Sequence, residues 1–380
     1  MMDWPIFSIF LYVSVILPVK SLVVPCNDSF TSKCLCGDID YMGKRQFVVN
    51  CTNTNFQNAS VLQNLPSKTQ VLIFTGNNIN ELPMNVFGSM NSFLDLKVVD
   101  MSNNNIQDIR GKTYHRVSNV ERLILNHNQI SISSKEPSHH HPRIFSNFEN
   151  LVELHLTDAF ADNNPEDLAS DLHDIFINSE LTSLRKLHLE QNEISQFKDP
   201  KVFCDLPNLQ DLHLGQNHLT GLHFDIDCLP HLRFLDLEYN NIRQLAPDDR
   251  SALDSYTKTH TDHGLTIDLS DNSLTGGCSS LYAWMQATKV VVRNKNILHC
   301  HELHPSDGCP ALLASQVPAA PSSHTGTELF LLVALCATLG LLAYTNWHPI
   351  EKQMRPLVDA LSHKVHYTNI GRHEEQEMNV

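Results

Sequence analysis

The stretch LRKLHLEQNEISQF, Leu184 to Phe197, decides the fold of this chain. Its apolar residues and one asparagine are spaced three, two, three, two and three apart, in the order Leu184, Leu187, Leu189, Asn192, Ile194 and Phe197. A helix repeats its apolar face every three or four residues, and a strand repeats it every two. The mixed spacing therefore predicts a short strand around Leu187 and Leu189, followed by a turn away from it.

The same pattern, L-x-x-L-x-L-x-x-N-x-L with L for any aliphatic or aromatic residue, fits the chain eight times. Its asparagine position holds, at intervals of 23 to 33 residues, Asn77, Asn104, Asn128, Ala159, Asn192, Asn217, Asn240 and Asn272. This is the leucine-rich-repeat signature, and it predicts an α/β solenoid over 66–275. We expect a horseshoe with short parallel strands on its concave face, in which stacking of the repeats buries the leucines.

The asparagines have a structural task. A buried amide can satisfy backbone groups of its own turn and of the adjacent turn. Losing such a partner costs about 1–3 kcal/mol. Ala159 should therefore mark a local break in the ladder of asparagines, and 160–183 reads as an irregular insertion. We expect its acidic loop, Asp162 to Glu180, to be the most mobile part of the coil.

The amino terminus predicts export from the cytoplasm. An apolar run from Ile6 to Leu17 is followed by Val19-Lys20-Ser21, which suits signal-peptidase cleavage after 1–21. The residues before this run include Asp3 and no lysine or arginine, so an uncleaved anchor is the alternative.

A second apolar run predicts one transmembrane helix over 328–346. Leu329 to Tyr344 carries no charge, and it needs its flanks to reach the thickness of a bilayer of about 30 Å. Lysine and arginine follow this run, and neither occurs in the flexible stalk 310–327 before it. This asymmetry predicts a type I plasma-membrane protein with a cytoplasmic tail over 347–380.

Cysteines precede the first repeat, as an oxidising compartment allows. Cys26, Cys34, Cys36 and Cys51, with the residues around them, resemble the cysteine-rich amino-terminal cap of extracellular leucine-rich-repeat proteins, over 22–65. The resemblance implies that Cys26 pairs with Cys36 and Cys34 with Cys51. Sequons at Asn27, Asn50 and Asn58 predict glycosylation in or beside this cap.

Further cysteines follow the fifth and sixth repeats and the last one. Cys278, Cys300 and Cys309 resemble the carboxy-terminal cap of the same proteins, over 276–309, with one cysteine fewer than the usual four. Cys204 and Cys228 lie at corresponding positions of neighbouring repeats, where a disulfide is feasible. Nine ectodomain cysteines leave one unpaired, and the sequence does not decide which.

Taken together, caps, repeats, stalk, span and short tail are similar to the single-pass leucine-rich-repeat cell-surface proteins of animals. That resemblance is specific for the fold, but the fold serves receptors, co-receptors and adhesion molecules alike. The tail is far shorter than the signalling domain of Toll-type relatives. Our hypothesis is a receptor or co-receptor that binds an extracellular protein through the concave face. The alternative is an adhesion molecule linked to a submembrane scaffold.

Other functions fit the sequence less well. It contains no Gly-rich phosphate loop, G-x-S-x-G or H-E-x-x-H motif, so we expect neither an enzyme nor a cofactor. Two clusters, CHELH at Cys300 to His304 and HHH at His139 to His141, could suggest a metal, but disulfide capping and a solvated insertion explain them better. The net charge of −15 argues against nucleic acid or heparin as a ligand.

The central residue of each L-x-L should point to the concave face, in the order Ile73, Asp100, Ile124, His155, His188, His213, Asp236 and Asp268. Strands about 4.8 Å apart would align the three histidines in one column. We predict as ligand contacts His155, His188, His213, Asp236, Phe234, Tyr239 and Arg185; the alternative is that the histidines merely fill an exposed position.

A metal is not expected in this column, since the outer two rings would start about 10 Å apart, too far for shared zinc coordination. Histidine protonation below about pH 6 could instead release a ligand in an endosome.

The tail carries two short motifs. Tyr367 to Ile370, YTNI, matches the Y-x-x-Φ pattern that clathrin adaptors bind. Met378 and Val380 end the chain as Φ-x-Φ, which could add a strand to a PDZ domain. The first motif predicts internalisation, and the second predicts the scaffold of the adhesion alternative.

Overall fold

The computed structural model describes residues 23–26, 30–88, 95–115, 117–132, 144–145, 147–161, 165–177, 179, 181–296 and 298–300. The predicted signal peptide, stalk, span and tail lie outside these residues, as do Asn27, Cys309 and the motifs at Tyr367, Ile370, Met378 and Val380. None of the helices in the described part is both long and apolar enough to cross a bilayer.

Short strands dominate the described residues. In chain order they are β1 Val24–Pro25, β2 Leu35–Tyr41, β3 Lys44–Asn50, β4 Val71–Ile73, β5 Glu81–Leu82, β6 Val98–Asp100, β7 Asp108–Ile109, β8 Arg122–Ile124, β9 Glu153–His155, β10 Lys186–His188, β11 Asp211–His213, β12 Phe234–Asp236, β13 Thr266–Asp268 and β14 Val291–Val292. The α-helices are α1 Pro165–Phe176, α2 Pro247–Thr259 and α3 Cys278–Ala287, and 3-10 turns span Ala59–Asn64 and Ile226–Cys228.

One long sheet joins the caps and the repeats. Its order is β1-β2-β3-β4-β6-β8-β9-β10-β11-β12-β13-β14, while β5 and β7 form a separate pair. Neighbouring strands run parallel from β3 to β14, and β1, β2 and β3 are antiparallel. Parallel pairing of successive strands requires each repeat to return along the opposite side of the coil. The predicted solenoid is thus confirmed for the described residues.

Leucines at fixed positions form the core. In the repeat of the opening stretch, Leu184, Leu187 and Leu189 are fully buried, and their equivalents in the neighbouring repeats are buried as well. Opposite the sheet, the rings of Phe197, Phe203 and Phe224 pack edge to face, with centroids 5.2–6.0 Å apart. Each repeat therefore buries its apolar side only against its neighbours, as stacking requires.

The asparagines form the expected ladder of hydrogen bonds. Asn217 Oδ1 accepts from the backbone N–H groups of Asn192 and Ile194, both at 3.0 Å. Its Nδ2 donates to the carbonyls of Leu189 at 2.9 Å and Leu214 at 3.0 Å. One buried side chain thus joins two adjacent turns, which explains why the motif needs an amide with donors and acceptors.

At Ala159 the ladder loses its amide, but the sheet continues. The Asn128 N–H donates to the Asp158 carbonyl at 3.1 Å, and the Ile130 N–H donates to the Ala159 carbonyl at 2.8 Å. Backbone groups therefore take over the hydrogen bonds that an asparagine would make. The break is confined to the side chain.

The prediction of an irregular loop after Ala159 is wrong over Pro165–Phe176, which form α1. Leu172, Ile175 and Phe176 lie three and four residues apart on this helix and are fully buried. The acidic residues around them suggested a solvated loop, but these three apolar residues form the face of a helix that packs on the core.

Four disulfides fasten the described residues. Cys26 is bonded to Cys36 and Cys34 to Cys51, the pairs that the resemblance implies. Two further bridges join Cys204 to Cys228 and Cys278 to Cys300. Eight of the nine cysteines predicted to lie in the ectodomain are therefore paired, and the ninth, Cys309, lies outside the described residues.

Candidate functional site

The concave side of the sheet carries three rows of outward-facing residues. Because the central residue of each strand is buried, the first and third residues face outward. The leading row consists of register partners, namely Val48, Val71, Val98, Arg122, Glu153, Lys186, Asp211, Phe234, Thr266 and Val291. The central row contains the residues two positions later on each strand, from Asn50 through His155, His188 and His213 to Asp268. The trailing row lies two residues further on and includes Thr157, Glu190, Gly215 and Glu238.

The amino-terminal part of this face is covered by the cap. Val48, Val71 and Val98 form a small buried cluster against which Ile39 and Tyr41 of the β2–β3 hairpin pack. The hairpin turns tightly because Met42 and Gly43 both adopt positive φ, 50° and 73°. The surface open to a large partner therefore begins near β8.

The three histidines of the central row stack face to face. The ring centroids of His155 and His188 are 4.2 Å apart with an interplanar angle of 8°, and those of His188 and His213 are 4.1 Å apart with an angle of 9°. The parallel register aligns the three residues on successive strands. The histidines thus form one continuous column in the middle of the concave face.

Two glutamates, Glu153 in the leading row and Glu190 in the trailing row, form hydrogen bonds with histidines of this column. His155 Nε2 lies 3.3 Å from Glu153 Oε2, and Glu153 also pairs with Arg122 of β8. His188 Nδ1 lies 2.9 Å from Glu190 Oε1, and Thr157 Oγ1 donates to Glu190 Oε2 at 2.8 Å. An ionised carboxylate only accepts, so the facing histidine nitrogens carry the hydrogen. Sequence reasoning missed both glutamates, although each lies two residues from a predicted histidine, the spacing that puts two side chains on the same side of a strand.

The environment disfavours the charged forms of His188 and His155. Burial, followed by the neighbouring His213 and His155, lowers the pKa of His188 to about 4 despite the Glu190 carboxylate. Burial also lowers the pKa of His155. For His188 the expected gain of charge just below pH 6 is therefore wrong, because desolvation outweighs the attraction of Glu190, and burial opposes the same gain at His155. Burial opposes ionisation of Glu190, but at low pH, where His188 is protonated, the charge and hydrogen bond of His188 outweigh this effect and hold the Glu190 pKa below its ordinary value.

The carboxy-terminal part of the face is acidic. Asp236 Oδ2 lies 3.7 Å from His213 Nδ1, and Asp268 Oδ2 lies 3.8 Å from Arg293 Nε. Burial, then Asp236 and Asp268, raise the pKa of Glu238 to about 7 against the opposing charge of Arg293. This end of the surface therefore suits a partner with positive charge.

An aromatic residue adjoins the histidine column. The Phe234 ring centroid lies 5.3 Å from that of His213, and the Arg293 guanidinium lies 5.7 Å from the Phe234 ring. A partly exposed aromatic ring between charged groups is a frequent anchor of protein interfaces.

Five of the seven predicted contact residues come together. His155, His188, His213, Asp236 and Phe234 are contiguous on the sheet.

The remaining two predicted residues lie apart from this surface. Tyr239 is in the turn after β12, where it has a φ of 50° and is 53% exposed. Arg185 precedes β10 and lines an open groove of about 440 Å³ at the entry to the strands, together with Glu121, Val152 and Gln210.

The two sequons among the described residues differ in position. Asn50 is the last residue of β3 and belongs to the central row, where its Oδ1 accepts from the Thr52 N–H at 2.9 Å. Asn58 is exposed and caps the turn Ala59–Asn64 by accepting from the Ser60 N–H. A glycan on Asn50 would stand at the covered end of the concave face.

Comparisons with known proteins agree with this architecture. Residues 182–242 match the leucine rich repeat family model. Trophoblast glycoprotein of Macaca fascicularis is 24% identical over 335 residues, which are 82% of this chain and 76% of that protein. Mouse epiphycan is 28% identical over 160 residues, 38% of this chain, and the chain spans only 45% of epiphycan.

A solved structure shows the same fold. The crystal structure of human 5T4, titled Wnt-activated inhibitory factor 1 and trophoblast glycoprotein, matches with a TM-score of 0.57 and 25% identity. The match covers 67% of this chain and 87% of that one. The chain is thus similar over most of its length to trophoblast glycoprotein, and part of its repeat region matches the leucine rich repeat model.

Proposed function

We propose that this leucine-rich-repeat protein, which is similar to trophoblast glycoprotein, is a cell-surface receptor or co-receptor for an extracellular protein. Its ligand binds the concave face from β8 to β13, and the molecule lies in the plasma membrane with its repeats outside. The ligand enters the cell with it when a clathrin adaptor binds Tyr367 and Ile370.

One observation carries the proposal. Histidine, carboxylate and aromatic side chains form a contiguous stripe at positions that the packing of the leucine core does not require to be of any particular type. The buried leucines require only that residues between them point away. Yet Glu153, His188, Phe234 and Asp236 form an ordered, polar and partly exposed surface next to the covered cap end. Such a surface binds protein rather than a small molecule, since it is broad and open.

Trophoblast glycoprotein suggests which partners to test first. The similar human protein carries the name Wnt-activated inhibitory factor 1. Proteins of Wnt signalling at the cell surface are therefore the first class of partner that we would test against this chain.

The experiment is proximity labelling on intact cells that express the full chain. Phe234→Ala removes an aromatic anchor from the concave stripe and should reduce labelling of the ligand by about tenfold or more, the usual effect of losing a hot spot. Lys201→Ala, an exposed change in the loop before Phe203, is the matched control and should leave labelling intact. Equal partner sets for the two variants at equal surface levels would refute binding through the concave face.

Membrane topology has its own test. A tag after Val380 should bind antibody only after the cells are permeabilised, while a tag at Asn27 should bind it on intact cells. The reverse pattern would exclude a surface receptor. Adhesion through a PDZ scaffold becomes the better explanation if deletion of Val380 abolishes cell clustering and labelling shows no concave-face ligand.

A further inference from the structure

Strands β10 and β11 bring three metal-binding side chains together on the concave face. His188, Glu190 and His213 each offer one ligand atom, and these atoms lie within 4.8 Å of one another. We propose that the three residues bind one divalent transition-metal ion, for which Zn²⁺ is the best-fitting probe. The proposal does not rest on the receptor function, because metal binding can be measured without a protein ligand.

The donor atoms are close to the geometry that zinc requires. Glu190 Oε1 lies 2.9 Å from His188 Nδ1 and 3.9 Å from His213 Nδ1. Tetrahedral zinc with bonds of about 2.0–2.1 Å places its ligand atoms about 3.4 Å apart. Because the two imidazoles are stacked nearly parallel, their rings would have to turn toward each other to direct both Nδ1 lone pairs at one ion, while the sheet need not move. Two imidazoles and one carboxylate are a donor set that zinc sites commonly use.

A metal shared by His155, His188 and His213 is excluded, but the proposed site uses only two of these histidines. Three histidines in a row cannot share one ion, and His155 indeed stacks on the far side of His188, with its ring next to Glu153. The third donor is Glu190 instead. It follows His188 by two residues in the same repeat, so its carboxylate faces the same side as the imidazoles.

The surroundings position the ligands. Thr157 Oγ1 donates to Glu190 Oε2 at 2.8 Å, which leaves Oε1 directed at the two imidazoles. Asp236 Oδ2 lies 3.7 Å from His213 Nδ1 and occupies the space beside Gly215, where a Cβ atom would be 3.0 Å from it. Hydrogen-bonded carboxylates around the ligands are typical of zinc sites. The fourth position of the ion is left for water, which Asp236 could orient.

Binding also changes the tautomer of His188. Its hydrogen, which faces Glu190 from Nδ1, moves to Nε2, and the Nδ1 lone pair then coordinates the ion. Glu190 exchanges the His188 hydrogen bond for a bond to the metal. Among the described residues, the other group of potential ligand atoms contains Cys204 and Cys228, which are joined in a disulfide and do not offer thiolates.

The test measures zinc binding to the full-length protein in detergent, without an affinity tag. The starting variant carries His139→Gln, His140→Gln and His141→Gln, which removes the histidine run as a competing site. It should bind one Zn²⁺ per chain after equilibrium dialysis. Glu190→Gln and His213→Gln should each weaken this binding at least about 100-fold, since loss of an outer partner alone costs 10–100-fold. The matched control is His155→Gln, in the same column but outside the donor set, and it should change affinity less than about threefold.

A second measurement requires no change in the site. Zinc X-ray absorption of the starting variant should fit two imidazoles and two oxygens at about 2.0–2.1 Å. Binding unaffected by Glu190→Gln, equal loss in His155→Gln, or an absorption spectrum without two imidazoles would each overturn the site. None of these results bears on ligand binding at Phe234.

Discussion

Met42 Sδ, at the tip of the amino-terminal hairpin, lies 2.9 Å from Arg122 Nη1 on the third repeat strand. The contact spans 80 residues of sequence and crosses the concave face above β4 and β6. The cap thus has two roles. It covers the open end of the core, and it closes the first part of the surface that a ligand would otherwise reach.

The packing of this hairpin can be tested at Tyr41. Tyr41→Ala removes apolar contacts with the cluster of Val48, Val71 and Val98 and should lower the free energy of unfolding by about 1–3 kcal/mol. Asp40→Ala changes an exposed position of the same strand and should alter it by less than about 0.5 kcal/mol. Urea unfolding followed by circular dichroism gives both values. Equal effects would show that the hairpin does not pack on the sheet.

The asparagine ladder predicts a larger loss at Asn217. Asn217→Ala deletes the hydrogen bonds to Asn192, Ile194, Leu189 and Leu214 in a buried turn and should cost about 2–4 kcal/mol. The matched control is Asn208→Ala, whose exposed amide makes one hydrogen bond, to the Thr182 carbonyl, and it should cost less than about 1 kcal/mol. Urea unfolding measures the loss of unfolding free energy in both variants. Similar losses would show that the asparagine ladder does not stabilise the fold.

Glu238 predicts a dependence of stability on pH. Its folded pKa of about 7 lies above the ordinary 4.5, so the folded state binds this proton more tightly than the unfolded chain does. The stabilisation of the folded state by protonated Glu238 is therefore fully present below about pH 4.5 and is lost as pH rises through about 7. Because Glu238 is only half buried, solvent screens part of this effect, and between pH 5 and pH 8 the natural protein should lose about 1–2 kcal/mol more than Glu238→Gln.

The control for this pH dependence is Glu193→Gln, a change of an exposed glutamate outside the acidic cluster. Its free energy of unfolding should change with pH as that of the natural protein does. A slope that persists in Glu238→Gln would assign the pH dependence to another group.

Internalisation depends on Tyr367. Tyr367→Ala should lengthen the half-life of the protein at the cell surface, because an adaptor pocket loses its tyrosine. Thr368→Ala changes a variable position of the same motif and should leave the half-life as it is. Surface biotinylation followed over time measures both. Identical half-lives in the natural chain and Tyr367→Ala would remove endocytosis from the proposed function.

The repeat pattern and the histidine column could be predicted because they depend on short-range geometry. A residue between two buried leucines must face the other side of the strand, whatever the rest of the chain does. The interval between asparagines then places His155, His188 and His213 on successive strands. The pairing of the four cap cysteines was predicted only from the resemblance to extracellular leucine-rich-repeat proteins, since four cysteines by themselves allow three pairings.

Composition misled the prediction for the insertion after Ala159. Its acidic residues and its asparagines suggested a loop, yet Leu172, Ile175 and Phe176 suffice to bury one face of α1. Local polarity does not exclude a helix whose stability comes from packing against a core.

The sequence by itself determined the solenoid, its capped ends and the direction in which each concave residue points. Only the tertiary structure decided that Glu190 lies between His188 and His213, that burial keeps His188 neutral, and that Met42 reaches Arg122. The physical reason is the range of the interactions. Alternation along a strand is local, whereas distances and desolvation across strands depend on residues some 25 to 80 positions apart that meet only after the repeats have stacked.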